Sequence, residues 1–233
     1  MIDFHTHILP HIDDGSRNTE ESLQMLQCLA GQGIETVAAT PHFYPAYRSP
    51  EEFLERRDAA WQHLAQHLTP ELPEVRLGAE TLYFPGFGRM EQLPQLCIAG
   101  TSLFLLEMPA GTWSDYMVQE VIDLSRSGGV TVLMAHIERY LPAQKKGVWD
   151  KLLENGVLMQ CNAEFFLPLA TRRHAAHMLR EGRIHLLGSD CHNTADRAPH
   201  MAEALQNIRR YAGDETAEKL IRRSRYYMGG VQP

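Results

Sequence analysis

The chain of 233 residues is 44% hydrophobic and 22% charged, an ordinary globular composition with enough apolar side chains for a sizeable core. Its formal net charge of −7 and the lack of a Lys/Arg-rich run weigh against a nucleic-acid backbone as the main partner. Barrels of this length are commonly undivided, so we expect one domain over residues 1–233. The sequence shows no membrane-spanning apolar run, no signal peptide and no C-x-x-C pair, which predicts a cytoplasmic protein with reduced thiols.

The first predicted strand contains two histidines whose side chains can face the same point. His5 and His7 lie in an extended run, where alternate residues share a face. A polar turn, His11 to Gly15, follows with further potential ligands. A pair of surface histidines at a frayed chain end is the plain alternative. A functional site is favoured because the same pattern, an apolar strand ending on His, Asp or Glu, recurs along the chain.

Strand-like runs alternate with helical stretches. The seven strands are predicted near residues 2–5, 35–40, 74–80, 102–107, 130–136, 157–162 and 183–190. Helices are predicted at about 18–32, 50–67, 114–127, 146–155, 171–181, 196–211 and 214–223. This alternation predicts an α/β fold with a parallel sheet. Polar residues at the ends of six or seven strands favour a β/α barrel over an open doubly wound sheet, which offers a crevice between only a few strands.

Nitrogen and oxygen donors gather at these strand ends and in the turn after the first strand. They are His5, His7, Asp14, His42, Glu80, Glu107, His136, Asp190 and His192. So many donors suit two or three metal ions, and imidazole with carboxylate but no thiolate suits manganese, iron, zinc or magnesium. The positive charge of three divalent ions would exceed the negative charge of the four crowded carboxylates. The excess positive charge could bind a hydroxide and a phosphate. Arg139 and Arg197, close to ligands in sequence, can bind phosphate oxygens in a bidentate fork.

These residues carry a resemblance to a known family. The opening Asp-x-His-x-His, the strand-end donors and Ser189-Asp-Cys-His192 resemble the polymerase and histidinol phosphatase (PHP) superfamily. Within it, Asp13-Asp14-Gly15, His136-x-x-Arg139-Tyr140 and the run from Asp190 to Met201 resemble the manganese-dependent bacterial protein-tyrosine phosphatases of capsule and exopolysaccharide loci. The match spans residues 1 to about 201.

The resemblance implies a distorted (β/α)7 barrel with three divalent metal ions. Mn2+ is the first choice for these ions, and Fe, Zn or Mg are the alternatives. By position, His5, His7, Glu80 and Asp190 would hold the first metal. Glu80 would bridge to a second with Glu107 and His136, while Asp14, His42 and His192 would hold the third. Arg139 and Arg197 would bind the phosphate. Asp13 could replace Asp14, and His11 could compete for the third site.

The same resemblance implies an activity and a partner. A metal-bound hydroxide would attack the phosphoryl group directly, with no phosphoenzyme. The implied substrate is the phosphorylated, tyrosine-rich tail of a membrane-associated bacterial tyrosine kinase that controls polymer synthesis. A small-molecule phosphatase of the histidinol-phosphatase type and a non-catalytic, metal-stabilised module that docks on a kinase are the alternatives.

A different phosphatase chemistry is suggested by Cys191 and Arg197, which have the C-x5-R spacing of cysteine-dependent tyrosine phosphatases. The segment lacks the glycine-rich turn that wraps phosphate, and the neighbouring Asp190 carboxylate disfavours a thiolate. We therefore expect this spacing to be coincidental.

Overall fold

Short parallel strands and helices alternate along the chain in the computed structural model, which describes residues 1–127 and 129–229. The strands are β1 Ile2–Thr6, β2 Thr36–Ala39, β3 His42–Phe43, β4 Glu74–Leu77, β5 Glu80–Leu82, β6 Leu103–Glu107, β7 Thr131–Met134, β8 Leu158–Asn162 and β9 Leu186–Gly188. The helices are α1 Thr19–Gly31, α2 Pro50–Ala65, α3 Leu93–Leu96, α4 Asp115–Arg126, α5 Lys146–Glu154, α6 Arg172–Arg180, α7 Met201–Ala212 and α8 Asp214–Tyr227. No helix in the described ranges is both long and apolar enough to cross a membrane.

The strands form a curled parallel sheet. Hydrogen bonds order them as β1-β2-β4 and as β3-β5-β6-β7-β8-β9, and every pairing between these strands is parallel. The first and last strands also meet, because Asp190 N donates to His5 O at 2.8 Å and His7 N donates to Cys191 O at 3.0 Å. The predicted α/β fold with a parallel sheet is confirmed, and this curvature is consistent with a distorted barrel.

Two of the predicted strands are interrupted. The run 35–40 stops at Ala39, where Pro41 offers no N–H to a ladder, and pairing resumes in β3. The run 74–80 divides at Gly78, whose added Cβ would lie 3.2 Å from the side chains of both Ile98 and Thr40. Glu80 therefore begins β5 instead of ending a strand, and its N–H donates to Pro41 O at 3.0 Å.

The helix predicted at 196–211 begins later, at Met201. Asn193 Oδ1 accepts hydrogen bonds from Ala195 N at 2.8 Å and Arg197 N at 3.1 Å, which folds this segment into a turn. Arg197 is consequently placed in a loop beside the strand ends. The short α3 was not predicted, and α8 extends to Tyr227, beyond the expected end at 223.

Local capping explains where the first two long helices begin. Ser49 and Glu52 form a complete capping box at α2, with Pro50 in the first turn. At α1, Asn18 accepts from Glu21 N at 2.9 Å, but the Glu21 carboxylate accepts from Arg17 N instead of closing the box. The predicted helix start is correct, and only half of a capping box forms there.

Alternate strand residues pack into different apolar clusters. Leu103 and Leu105 of β6 pack with Phe4 and Leu133, other strand residues, inside the curled sheet. The intervening Phe104 and Leu106 belong to the larger cluster that contains the buried faces of the helices. The sheet is therefore buried on both faces, which is typical of parallel α/β proteins and leaves its strand ends for polar groups.

Candidate metal centre

All nine predicted donors converge at one place. Three groups have ligand atoms within 4.8 Å of one another: His7, Asp14, His42 and His192; His5, His7 and Asp190; His42, Glu80 and Glu107. The ninth, His136, joins them because its Nε2 lies 2.7 Å from Glu80 Oε1 and 3.6 Å from Glu107 Oε1. Donors that are far apart in sequence are thus brought into one cluster by the curl of the sheet.

Glu80 lies at the centre of this cluster and is fully buried. Its Oε2 is 3.1 Å from His5 Nε2 and 3.4 Å from His7 Nε2, while its Oε1 faces His136. A carboxylate whose two oxygens face different imidazoles can bind two cations at once.

The turn after β1 separates the roles of its two aspartates. Asp13 is buried, and its oxygens are taken by His7 Nδ1 at 2.7 Å, His42 N at 2.9 Å and Gly15 N at 3.0 Å. Asp13 therefore orients the His7 ring so that Nε2 points into the cluster, as the carboxylate partners of metal-binding histidines do.

Asp14 instead faces the cluster with an oxygen not taken by the backbone. Its Oδ1 lies 3.3 Å from His192 Nε2 and 3.5 Å from His42 Nε2. His11 is exposed and belongs to none of the ligand groups found in the described part of the chain. The geometry thus favours Asp14 over Asp13 and His11.

Unpaired buried atoms suit a cation at this site. His42 Nδ1 lies 2.9 Å from Glu80 Oε2, and His192 Nε2 lies 3.3 Å from Asp14 Oδ1. Even so, His42 Nδ1, Glu80 Oε2 and His192 Nε2 make no hydrogen bond among residues 1–127 and 129–229. Buried polar atoms are rarely left unpaired in folded proteins. Burial and then the charge of Glu80 raise the pKa of Glu107 to about 7, so two carboxylates repel each other here. The donor set and its electrostatics therefore fit bound divalent ions.

A second layer of side chains holds the donors in place. Gln160 Oε1 accepts from His136 N at 2.6 Å and lies 3.3 Å from His5 Nδ1, while its amide donates to Asn162 Oδ1 at 2.8 Å. Asn162 in turn donates to Asp190 Oδ2 at 3.0 Å. One glutamine thus connects three of the predicted ligands, in the way that outer groups orient metal-binding histidines.

Close backbone packing supports the same layer. Gly188 leaves no room for a side chain, since a Cβ there would lie 2.5 Å from His5 Cβ. Asp3 Oδ1 accepts from Ser189 N at 2.8 Å and from His5 N at 3.2 Å, which joins β1 to the segment after β9.

Two predicted ligands, His136 and Asp190, have positive φ values of 31° and 53°. This conformation is unfavourable for residues other than glycine and is often found at functional sites.

The two predicted arginines lie at the rim of the cluster. Both donate to Asp190: Arg139 through Nη2, and Arg197 through Nη2 at 3.0 Å. Arg197 Nη1 also lies 3.5 Å from Asp14 Oδ2. Their side chains are 45% and 38% exposed, so both guanidinium groups face the opening where an anion would enter.

The thiol of Cys191 is unsuited to nucleophilic attack. The residue is fully buried, and burial followed by the charge of Asp3 raises the pKa of the thiol well above its usual value. The Arg197 guanidinium contacts Asp190 and Asp14. This environment agrees with the expectation that the C-x5-R spacing is coincidental.

Several of these supporting residues were missed by the sequence analysis. Gln160 and Gly188 lie within strands and were given no role. Asp3 was noted only as the first residue of Asp-x-His-x-His, and Asn162 only as the end of the predicted strand 157–162. A glutamine in the apolar run 157–161 is the one signal that could have pointed to Gln160, because a buried amide needs polar partners.

The fold and the site together define an α/β protein with a buried His/Asp/Glu cluster at the ends of its parallel strands and arginines at the opening. The chain belongs to the capsular polysaccharide synthesis family CpsB/CapC, whose family model matches residues 1–227. It is 29% identical to the tyrosine-protein phosphatase CpsB of Streptococcus agalactiae, with 95% of each chain covered. It is also 29% identical to the tyrosine-protein phosphatase YwqE of Bacillus subtilis, covering all of this chain and 96% of the relative.

A solved structure has the same fold. The chain superposes with a TM-score of 0.84 and 25% identity on a crystal structure from a study of YwqE from Bacillus subtilis and CpsB from Streptococcus pneumoniae, described as unique metal-dependent tyrosine phosphatases. The match covers 99% of this chain and 96% of that one. The resemblance predicted from the sequence is confirmed.

Proposed function

We propose that this protein is a metal-dependent phosphomonoesterase that acts as a protein-tyrosine phosphatase. The observation that carries the proposal is the convergence of all nine predicted donors in one cluster with two arginines at its opening. The names of its relatives, metal-dependent tyrosine phosphatases in a capsule-synthesis family, support the same activity. The partner we propose is the phosphorylated, tyrosine-rich tail of a bacterial tyrosine kinase. We propose that the two proteins interact in the cytoplasm.

The ligand groups support a specific assignment of three divalent ions, with Mn2+ as the first choice. His5, His7 and Asp190 form one group, with Glu80 Oε2 in reach of both histidines. Glu80 and Glu107 would share the second ion with His136. Asp14, His42 and His192 would hold the third, although His42 also approaches Glu80 through its other nitrogen.

Bound divalent ions would lower the pKa of a water molecule and neutralise negative charge on the phosphoryl group. The protein's own residues do the rest. Arg139 and Arg197 offer guanidinium donors to phosphoryl oxygens, and Asp190 holds both in position. The tyrosyl oxygen, with a parent pKa of ~10, needs less acid assistance on leaving than an alkyl alkoxide.

Two structural predictions accompany this proposal. We infer that the curled sheet is a distorted (β/α)7 barrel, because seven strand segments remain once β2 with β3 and β4 with β5 are each counted together, and because β1 meets β9. We also expect the whole chain, residues 1–233, to be one domain.

The test is hydrolysis of a phosphotyrosine peptide by the wild type and by Cys191→Ser, each with Mn2+ and after chelation. We expect the serine variant to keep its rate and chelation to abolish the activity of both. Loss of turnover in the serine variant, with a wild type that resists chelation, would overturn the metal-centred proposal. Cleavage of small phosphate esters but of no peptide would favour the small-molecule alternative.

A further inference from the structure

A cavity of about 300 Å³ adjoins the candidate metal centre. We call it the Tyr44 cavity; it is lined by Ile12, Asp13, Asp14, His42, Phe43, Tyr44, Tyr47, Arg48 and Phe53. Two of these residues, Asp14 and His42, belong to the ligand groups, so the cavity opens directly beside the place where a phosphoryl group would bind. Its volume is at the small end of the range for ligand pockets and suits a single side chain better than a large ligand.

The walls of the Tyr44 cavity are aromatic and apolar. The Tyr44 ring stacks on the ring of His42, with centroids 4.9 Å apart and an angle of 20° between the planes. Tyr47 stands edge-on to Tyr44 at 6.3 Å and is 81% exposed, although a large aromatic ring is normally covered. Phe43 and Phe53 are buried below them. An aryl ring entering here would meet a stacked ring, an exposed ring edge and an apolar floor, which are favourable contacts for a planar aromatic group.

Arg48 provides a free positive charge in this cavity. Its guanidinium makes no hydrogen bond and no ion pair within the described ranges 1–127 and 129–229, although the side chain is only half-exposed. The two acidic residues that line the same cavity are already engaged: Asp13 bonds to His7, and Asp14 faces His192 and Arg197. A partly buried arginine that lines this cavity and has unused guanidinium donors is suited to a carboxylate or phosphate on the substrate.

We propose that the Tyr44 cavity receives the ring of the substrate's phosphorylated residue and that Arg48 selects substrates with an anionic group flanking that residue. This inference rests on the proposed phosphatase function. The anionic group can be the carboxylate of an acidic residue or the phosphate of a neighbouring phosphotyrosine, since a guanidinium fork binds both. Arg48 is thereby a specificity-determining residue: it contacts the substrate chain, not the phosphoryl group that is removed.

The experiment compares phosphotyrosine peptides that differ only at the positions on both sides of the phosphotyrosine, which carry Glu, Gln, Lys or a second phosphotyrosine. The enzymes are the Mn2+-loaded wild type, Arg48→Glu and Arg222→Glu. Arg222 is exposed on α8, so this variant carries the same change in net charge away from the Tyr44 cavity. The readout is the ratio of kcat/KM between peptides for each enzyme, because a general loss of activity cancels in that ratio.

We expect the wild type to prefer the Glu-flanked over the Lys-flanked peptide by about fivefold, as one partly exposed ion pair allows. Arg48→Glu should invert this preference, and Arg222→Glu should retain it. A doubly phosphorylated peptide cleaved faster than the Glu peptide identifies the anion as phosphate, and the reverse identifies it as carboxylate. Equal kcat/KM for all peptides in the wild type, or an unchanged ratio in Arg48→Glu, overturns the inference and leaves the phosphatase function intact. A wild type that cleaves none of the peptides overturns the function and this inference with it.

Discussion

Replacing Gln160 by methionine tests whether the second layer of side chains holds the metal centre together. Methionine keeps the length of the side chain but removes its oxygen and its amide donor. The buried N–H of His136 and the Oδ1 of Asn162 then lose their partners at 2.6 and 2.8 Å. Because each buried group left unpaired costs about 1–3 kcal/mol, we expect unfolding to become easier by about 2–4 kcal/mol in chelator.

The same substitution should weaken metal binding. Gln160 Oε1 also faces His5 Nδ1, and that contact keeps Nε2 turned towards Glu80. Loss of such outer partners typically lowers metal affinity by about 10- to 100-fold. Urea unfolding with chelator and calorimetric titration with Mn2+ measure the two effects.

A matched control is Gln119→Met, the same change on the exposed face of α4, where the amide bonds to Asp123. We expect this variant to stay within about 0.5 kcal/mol of the wild type with unchanged metal affinity. If Gln160→Met matches both wild-type values, Gln160 does not organise the site and the reasoning is refuted.

Three further changes probe other parts of the molecule. Gly188→Ala should destabilise the fold by about 1–3 kcal/mol, because the new Cβ would lie 2.5 Å from His5 Cβ. The control Gly31→Ala, whose new Cβ has no atom within 4 Å, should not destabilise it. Urea unfolding measures both free energies, and equal effects would contradict the packing argument. Arg139→Ala should lower kcat/KM by about a hundredfold with little change in unfolding free energy, because its side chain is 45% exposed; an unchanged kcat/KM would remove it from phosphate binding. Burial lowers the pKa of His185 to about 4, and its Nδ1 accepts from Met159 N, so the folded state needs the neutral ring. The free energy of unfolding should therefore decrease as the pH falls from about 6.5 to 4, by about 2 kcal/mol at pH 5. In His185→Gln this free energy should decrease less between pH 7 and 5 than in the wild type. An identical decrease in both proteins would show that His185 is not the group responsible.

The sequence predicted the donor set because these residues follow a regular rule. Strand ends in a parallel sheet meet at one edge, so His42, Glu107 and Asp190 could be assigned to one site without knowing the structure. The resemblance to a family then predicted which donors would share a metal ion. Asp14 could not be separated from Asp13 in this way, because the two are adjacent and only the hydrogen bonds to His7 and Gly15 show which one turns away from the cluster.

What the sequence could not predict depends on contacts between distant segments. Gln160 is one polar residue inside an apolar strand, and its role depends on His5 and His136, which are distant in sequence. The break at Gly78 depends on Ile98 packing against it. The late start of α7 is instead a local effect, because the side chain of Asn193 competes with helix formation by bonding to nearby backbone N–H groups. Local periodicity carries no information about any of these.

The pairing of β1 with the segment after β9 makes the site depend on parts of the chain that are far apart in sequence. Asp3 accepts from Ser189 N across 186 residues of sequence, and His5 and Asp190 are joined in the same way. During synthesis the amino-terminal histidines emerge long before their carboxyl-terminal partners exist, and such distant contacts form slowly because a long loop must close first. Metal ions held as proposed would therefore bind only after both segments have been made. They would connect β1 to the segment after β9 and resist unfolding by mass action.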